Sequence, residues 1–596
     1  MRSRFSIPLA VAGLYFLLSG CSHPERVALD LLPASTTARV EAALRMPPAA
    51  KLLLTVDIAR ADAAAEDAPT EEEGGVTPQL EIWVHTRKSF RGHLLDRRPL
   101  KYGENSEVID LGRLARRDVL LEVVPKGIDP ENVGWHRAEL VSTAAALRSK
   151  EEADPADWRI KAGPDEPDVV LYVIDTLRAD ALGVYGATRA TPNIDGLARD
   201  GVRFAHAIST ATWTRPATAS LLTGLYPSTH GAKDRPDRLP ESAFTLSERL
   251  RLLGYSTVAV VANGNLDPVW GFDQGFEFFQ RPRVPDRDEQ DRPRRHLLAS
   301  EAHEVALREW AQRKEQGTGP VFLYVQVVDP HGPYDPPEWL LSAKRPELGN
   351  TNPINDELNQ RKRKPTPELM ASLRTLYAGE VAYSDQEFGK FLAGLGSTDD
   401  ALFVLTADHG EAFQEHGFSS HGMSLYEGEL EVPLILRSPR RMPAGVVVDE
   451  PVSLIDVVPT LLSLVGESAP GEVPLPGVSL QGLWGGNSSA DATGQPLMAE
   501  LDYDGRRWES LRLGSEKLMT HLNAKRSWLF DLGKDPGERH NLLPSSDKQT
   551  LAAMKAALSE IEKTAAAEKL EDPEGTLDNP VPKDTTDQLR ALGYVK

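Results

Sequence analysis

Three apolar runs of the 596-residue chain end in side chains that could hold a metal ion. DVVLYVID closes on Asp175-Thr176, VFLYVQVV on Asp329-Pro330-His331, and FVLTA on Asp408-His409-Gly410-Glu411. A single Asp after such a run is an ordinary turn residue; three runs ending in Asp or His change the reading. Carboxylate and imidazole together suit zinc or another divalent metal with a position open for substrate. The stretch TWTRPATASLLTGLYPSTHG adds a nucleophile. Pro216 favours the first turn of a helix running through Leu222, with Thr214 at its mouth. Free N–H groups and the positive end of the dipole there attract an anion such as phosphate or sulfate. A metal-coordinated Thr214 would lose its proton far more readily than in water and attack phosphorus or sulfur. Taken singly, Thr214 reads as a plain N-cap.

The elements that must position these groups follow from pattern. DVVLYVID, YSTVAVVA, VFLYVQVVD and ALFVLTAD are nearly continuous apolar runs, as in strands buried on both faces. They alternate with helical candidates such as PNIDGLARDG and DVVPTLLSLVG, which predicts an α/β fold with a mainly parallel sheet covered by helices on both faces. Ligands in such sheets gather beyond the carboxyl ends of the strands, where Asp175, Asp329 and Asp408 stand. The expected division is a leader at 1–21, a β-rich accessory domain at 22–163, a catalytic domain at 164–485, a small antiparallel subdomain at 486–543 and a helical tail at 544–596. Period-two alternation in KLLLTVDIA, LEIWVHT and DVLLEVVP supports the accessory domain. Its Trp83 and Trp135 permit sugar stacking, with core packing the plainer role. The charged stretches starting at Arg281 and spanning Ala343 to Pro367 read as surface loops.

Composition narrows the partners. With 67 basic and 88 acidic residues the net charge is -21, which repels nucleic acid. The one cysteine, Cys21, forbids an intrachain disulfide and follows Arg2, Arg4, an apolar run from Phe5 to Leu18, and Ser19-Gly20. That run is shorter than the ~20 residues of a bilayer span. Its ending resembles the bacterial lipobox, which implies a body exported from the cytoplasm and tethered to the cell envelope, outer membrane included, by lipid on Cys21.

From Asp168 to Leu543 the chain resembles the sulfatase family of the alkaline phosphatase superfamily. The motifs are VIDTLRADALGVYG, ATPNIDGLARDGVRFAHA, TRPATASLLTGLYPSTHG, GFDQGFEFF, DPHGPYDPP, TADHGEAFQEHG, HGMSLYEGELEVPLIL and LFDLGKDPGERHNLL; LRALGYVK resembles a terminus common among bacterial members. The resemblance implies that Asp175, Asp408 and His409 hold a divalent ion (Ca, Mn or Zn) with Thr214 as the metal-bound nucleophile. It implies that His331 meets the transferred group or leaving oxygen, and that His230 and His421 stand at active-site positions. His416 is left between a site role and packing. A second ion on Asp329, His331 and His421 is the alternative to one; a single intervening Pro330 argues for one.

Several positions depart from the family pattern. Thr214 stands where members carry the Cys or Ser that becomes formylglycine, so no formylglycine is expected. Thr218 replaces an Arg, Met423 a Lys or His, Thr176 the second Asp of a pair, and His409 an Asn. The reading is hydrolysis of a sulfate or phosphate ester on a small molecule, glycan or lipid. Two alternatives stay open: a phosphodiesterase or phosphoryl-head-group transferase acting on lipid or glycan, and a non-catalytic binding protein retaining the fold.

Overall fold

The computed structural model describes residues 166–282, 298–317, 319–466, 475–484, 493–570 and 581–594, and the backbone of eight strands before them. The chain divides into two units, Met1–Ile160 and Lys161–Lys596. Cys21, the leader and the side chains of Trp83 and Trp135 lie outside the described residues. The first unit contains β1 (Glu25–Ala28), β2 (Val40–Arg45), β3 (Lys51–Ile58), β4 (Gln79–Thr86), β5 (His93–Pro99), β6 (Gly103–Asp110), β7 (Asp118–Lys126) and β8 (Val133–Ser142). These form two four-stranded antiparallel sheets, ordered β1-β8-β3-β6 and β2-β7-β4-β5.

In the second unit the apolar runs become β9 (Val169–Ile174), β10 (Val202–Ile208), β11 (Ser256–Val261), β12 (Phe278–Gln280), β13 (Val321–Val327) and β14 (Leu402–Thr406). The hairpin pair β15 (Ala412–Phe413) and β16 (Ser419–Ser420) and strands β17 (Glu431–Arg437), β18 (Val446–Val448) and β19 (Val452–Ser453) follow. The nine-stranded sheet runs β12-β11-β13-β9-β14-β17-β10-β18, with β19 also on β10. Every pairing in it is parallel except those of β17, which is antiparallel to both β14 and β10. β9, β13 and β14 are buried at every position, because helices cover both faces and no residue of these strands meets water.

The helices are α1 (Pro192–Arg199), α2 (Thr214–Thr223), α3 (Pro227–His230), α4 (Leu246–Leu252), α5 (Ala299–Gln316), α6 (Asn352–Asn359), α7 (Pro367–Gly394), α8 (Glu427–Leu430), α9 (Val457–Leu464), α10 (Lys548–Ala567) and α11 (Lys583–Leu592). Among the described residues no helix is long and apolar enough to cross a membrane. β20 (Leu497–Tyr503), β21 (Arg506–Leu513), β22 (Glu516–His521) and β23 (Arg526–Asp531) form an antiparallel meander.

One expectation is corrected here. The stretch from Ala343 to Pro367 is not all loop: it contains α6, whose Ile354 and Leu358, one turn apart, are buried together with Asn355. NPINDELN has only two large apolar residues, so its short amphipathic face is hidden among polar neighbours. Of the other stretch, 283–297 lies outside the described residues, while Arg281 pairs through Nε with Asp267 at 3.1 Å.

Asp329 follows β13 by two residues and turns toward the helices. Its Oδ2 accepts from Ala299 N at 2.8 Å in the first turn of α5, and its carbonyl accepts from Ser384 Oγ of α7 at 2.7 Å. The carboxylate therefore serves a helix start. Asp329→Ala is expected to cost about 1 kcal/mol, read as a lower denaturant midpoint, with the bound-metal content unchanged.

Candidate active site

Asp175 directly follows β9, Asp408 follows β14 by two residues, and His409 is next. One ligand atom from each lies within 4.8 Å of the others, and all three residues are fully buried. His409 Nε2 stands 3.6 Å from Asp175 Oδ1 and 3.7 Å from Asp408 Oδ2, beyond hydrogen-bond reach. Three of the four carboxylate oxygens are held. Asn263 Nδ2 donates to Asp175 Oδ2 at 2.6 Å, and Gln326 Nε2 donates to Asp408 Oδ2 at 3.1 Å. Asp408 Oδ1 accepts from the backbone N–H of His409 at 2.9 Å and of Thr176 at 3.3 Å. His409 Nδ1 lies 3.0 Å from the Gly410 carbonyl, which keeps the proton on Nδ1 and turns the Nε2 lone pair inward.

Asp175 Oδ1 faces the same space and has no hydrogen-bond partner, although it is buried. Burial and the nearby Asp408 carboxylate push the Asp175 carboxyl well above its ordinary range; burial also raises Asp408 and lowers His409 to about 4. Two like charges in a dry pocket with an orphaned oxygen fit a divalent cation, which would take two carboxylates and a neutral imidazole.

Thr214 is the first residue of α2, and Trp213, with extended backbone, is the N-cap. The hydroxyl is therefore not the cap. Thr214 Oγ1 lies 3.5 Å from His409 Nε2, accepts from Asn263 Nδ2 at 3.3 Å and stands 2.9 Å from the Tyr594 hydroxyl. Thr176 contributes backbone: at φ 59 it occupies the left-handed region that β-branched residues avoid, and there its N–H reaches Asp408. Tyr377 donates to its carbonyl at 2.8 Å. Thr218, one turn into α2, reaches Gln326 Oε1 at 3.5 Å, behind the amide that holds Asp408.

His331 and His421 converge on one hydroxyl. Tyr594 OH lies 3.0 Å from His331 Nε2 and 3.2 Å from His421 Nε2. Glu411 Oε1 stands 3.4 Å from His421 Nδ1. Burial raises Glu411 to about 8 and lowers His421 to about 3.

The other predicted residues are placed elsewhere. Among the described residues the Asp175, Asp408 and His409 group is the one cluster fit for a metal. Asp329 Oδ2 accepts from Ala299 N of α5 at 2.8 Å, and Asp329, His331 and His421 do not form such a cluster among the described residues. His230 ends α3 with Nε2 3.1 Å from Ser220 Oγ and Nδ1 accepting from Ala232 N at 3.1 Å, so it ties α3 to α2 without reaching Thr214. His416 stacks on Tyr426 with ring centroids 3.6 Å apart, and Met423 donates its N–H to Glu429 Oε2 at 3.1 Å.

Three residues of the site, Asn263, Gln326 and Tyr594, escape the sequence reading, and Glu411 enters it only as part of the run that ends FVLTA. Asn263 stands two residues beyond β11, where the strand-end rule applies equally to an amide. Gln326 is a polar residue inside an otherwise apolar buried strand, a signal in itself. Glu411 sits in the same turn as Asp408 and His409. Tyr594 is 380 residues from Thr214, and LRALGYVK marks it only as part of a terminal motif, not as a site residue.

A family model described as Sulfatase matches residues 167–467, just over half of the chain. The chain belongs to the sulfatase family. Membership makes it a sulfuric ester hydrolase, in a metal-dependent family. A second model, the C-terminal part of N-sulphoglucosamine sulphohydrolase, matches residues 414–564 of this sulfatase. It is 25% identical to an arylsulfatase of Clostridium perfringens over 446 residues, covering 64% of this chain and 91% of that protein. It is 26% identical to the N-acetylgalactosamine-6-sulfatase of Canis lupus familiaris over 487 residues, covering 69% and 85%. In fold it is similar to the phosphonate monoester hydrolase of Silicibacter pomeroyi, with TM-score 0.53, 22% identity and coverage of 68% and 96%.

Metal-free, the paired carboxyls bind protons more tightly folded than unfolded, so the empty fold loses stability as pH rises past the ordinary carboxylate range of about 4. Metal needs them deprotonated. The rise in Tm on adding Ca, Mn or Zn over EDTA is therefore expected to be larger at about pH 8 than at about pH 5, and to vanish in Asp175→Ala. Calorimetry with elemental analysis checks both.

Proposed function

We propose that this sulfatase hydrolyses its ester through Thr214, with one divalent cation (Ca, Mn or Zn) held by Asp175, Asp408 and His409. The observation that carries the reading is Thr214 Oγ1, 3.5 Å from His409 Nε2 at the first turn of α2. A cation in that cradle supplies positive charge against the anionic ester and lowers the pKa of a coordinated hydroxyl. Asn263 and Gln326 fix the two carboxylates, and Asn263 also orients Thr214 Oγ1. Thr214 gives up its proton and attacks sulfur or phosphorus, the bond to the ester oxygen breaks on the His331 side and that oxygen leaves carrying a proton, and the α2 N-terminus holds the group's non-bridging oxygens. Water then attacks the same sulfur or phosphorus, and the Thr214 oxygen departs with a proton.

Threonine has no second hydroxyl on Cβ with which to expel the group by carbon-oxygen cleavage, as a formylglycine hydrate does. The second step must therefore occur at sulfur or phosphorus. This favours a phosphorus ester beside sulfate, a reading the phosphonate monoester hydrolase fold supports. The names arylsulfatase and N-acetylgalactosamine-6-sulfatase support a sulfated aryl compound or glycan. The net charge of -21 argues against nucleic acid. The apolar run before Cys21 supports export and a lipid tether to the cell envelope.

Turnover of a sulfate monoester, a phosphate monoester, a phosphodiester and a phosphonate, assayed side by side, is expected to fall about 10³-fold or more in Thr214→Ala and to survive in part in Thr214→Ser; an unchanged Thr214→Ala rate on every ester refutes the nucleophile. Cys21→Ala is expected to move the protein from the membrane to the soluble fraction on cell fractionation.

A further inference from the structure

The Tyr594 hydroxyl sits where an ester oxygen has to be. To be attacked, a sulfur or phosphorus atom must come within about 3–3.5 Å of Thr214 Oγ1 with its oxygens around it. Tyr594 OH is 2.9 Å from that atom, 3.0 Å from His331 Nε2 and 3.2 Å from His421 Nε2. Two oxygens cannot share one point. Thr214 is 0% exposed and Tyr594 6%, so with the phenol in place the nucleophile meets no solvent.

The phenol is delivered by α11. Gly593 caps that helix at φ 92 and turns the chain back inward. The helix is fastened by a small set of contacts. Thr585 Oγ1 donates to Asp267 Oδ2 at 2.8 Å, and Gln588 Nε2 to the Ala262 carbonyl at 2.5 Å, next to Asn263. Arg281 reaches Gln588 Oε1 and Asp584 Oδ2, each at 2.8 Å, and Asn352 Nδ2 of α6 donates to the Leu592 carbonyl at 3.1 Å. Leu589 and Leu592 are the large apolar side chains it buries. Its buried face of Thr585, Gln588, Leu589 and Leu592 thus carries two large apolar side chains and is otherwise held by polar anchors, Arg281 Nη2 to Thr585 Oγ1 at 2.9 Å among them.

We propose that Tyr594 is an intramolecular competitor of the substrate, which an ester must displace from Thr214 before it reacts. The proposal rests on Thr214 as nucleophile. Apparent affinity is reduced by the fraction of molecules in which the phenol is away. A small ester has only its reacting group with which to displace it, whereas an extended substrate spends binding energy from remote contacts on the displacement. Tyr594 thereby selects against small esters.

The test compares the full-length wild type, Tyr594→Ala, and Thr585→Ala combined with Gln588→Ala, which loosens α11 away from the reacting atoms. kcat/KM for 4-nitrophenyl sulfate and 4-nitrophenyl phosphate is expected to rise about tenfold in Tyr594→Ala and several-fold in the double variant. Calorimetric affinity for inorganic phosphate is expected to tighten in the same order. If both variants fold and both measures stay flat or fall, Tyr594 is a resident donor or packing group and the proposal fails. If Tyr594→Ala does not fold, the double variant decides by the same two measures. Adding Thr214→Ala to each background separates the two readings: residual activity there refutes the nucleophile, while its loss with flat kcat/KM refutes the competitor alone.

Discussion

Asp175 and Asp408 are two carboxylates that must coexist out of contact with bulk solvent. Each costs several kcal/mol to bury as an anion, and each raises the cost of the other. The surrounding structure is organised around that conflict. Asn263 and Gln326 each spend an amide on a carboxylate oxygen, Thr176 accepts a left-handed backbone to point its N–H at Asp408, and Tyr377 secures the Thr176 carbonyl. These donors leave one oxygen, Asp175 Oδ1, without a partner. What the protein does not supply, a cation can.

The same constraint explains why the parallel strands matter more here than the helices between them. Each of three strand ends delivers its groups at a fixed height: Asp175 from β9, Asn263 from β11, and both Asp408 and His409 from β14. Thr214 comes from the helix that follows β10. Gln326 adds an amide from within β13, where a polar side chain is tolerated because it has a carboxylate to hold. Strand register sets these distances, and buried apolar runs set the register.

Much of this was legible from one dimension. The continuous apolar character of DVVLYVID, VFLYVQVV and FVLTA indicates doubly covered strands, and the residues ending them mark the site edge, so the parallel sheet emerges from pattern, while the choice of Asp175, Asp408 and His409 among those strand-end residues comes from the family resemblance. Spacing was less reliable for side-chain direction. Asp329 and His331 are separated by one proline, yet one turns to a helix and the other to the Tyr594 hydroxyl. His230 occupies a motif position but packs behind α2. Tyr594 was beyond reach, because its role depends on where a distant helix docks and not on its neighbours in the chain.

The reversed strand β17 has a consequence for how such a site can vary. Because it runs against β14 and β10, the connection from Asp408 to Leu430 leaves the sheet at the edge where the reacting groups lie and re-enters at that same edge. His409, Glu411 and His421 all ride on this one excursion, which never has to cross to the opposite side. Residues inserted between its fixed points would lengthen the rim of the cleft without shifting a strand, so recognition of new substrate shapes can diversify there while the cation cradle keeps its dimensions.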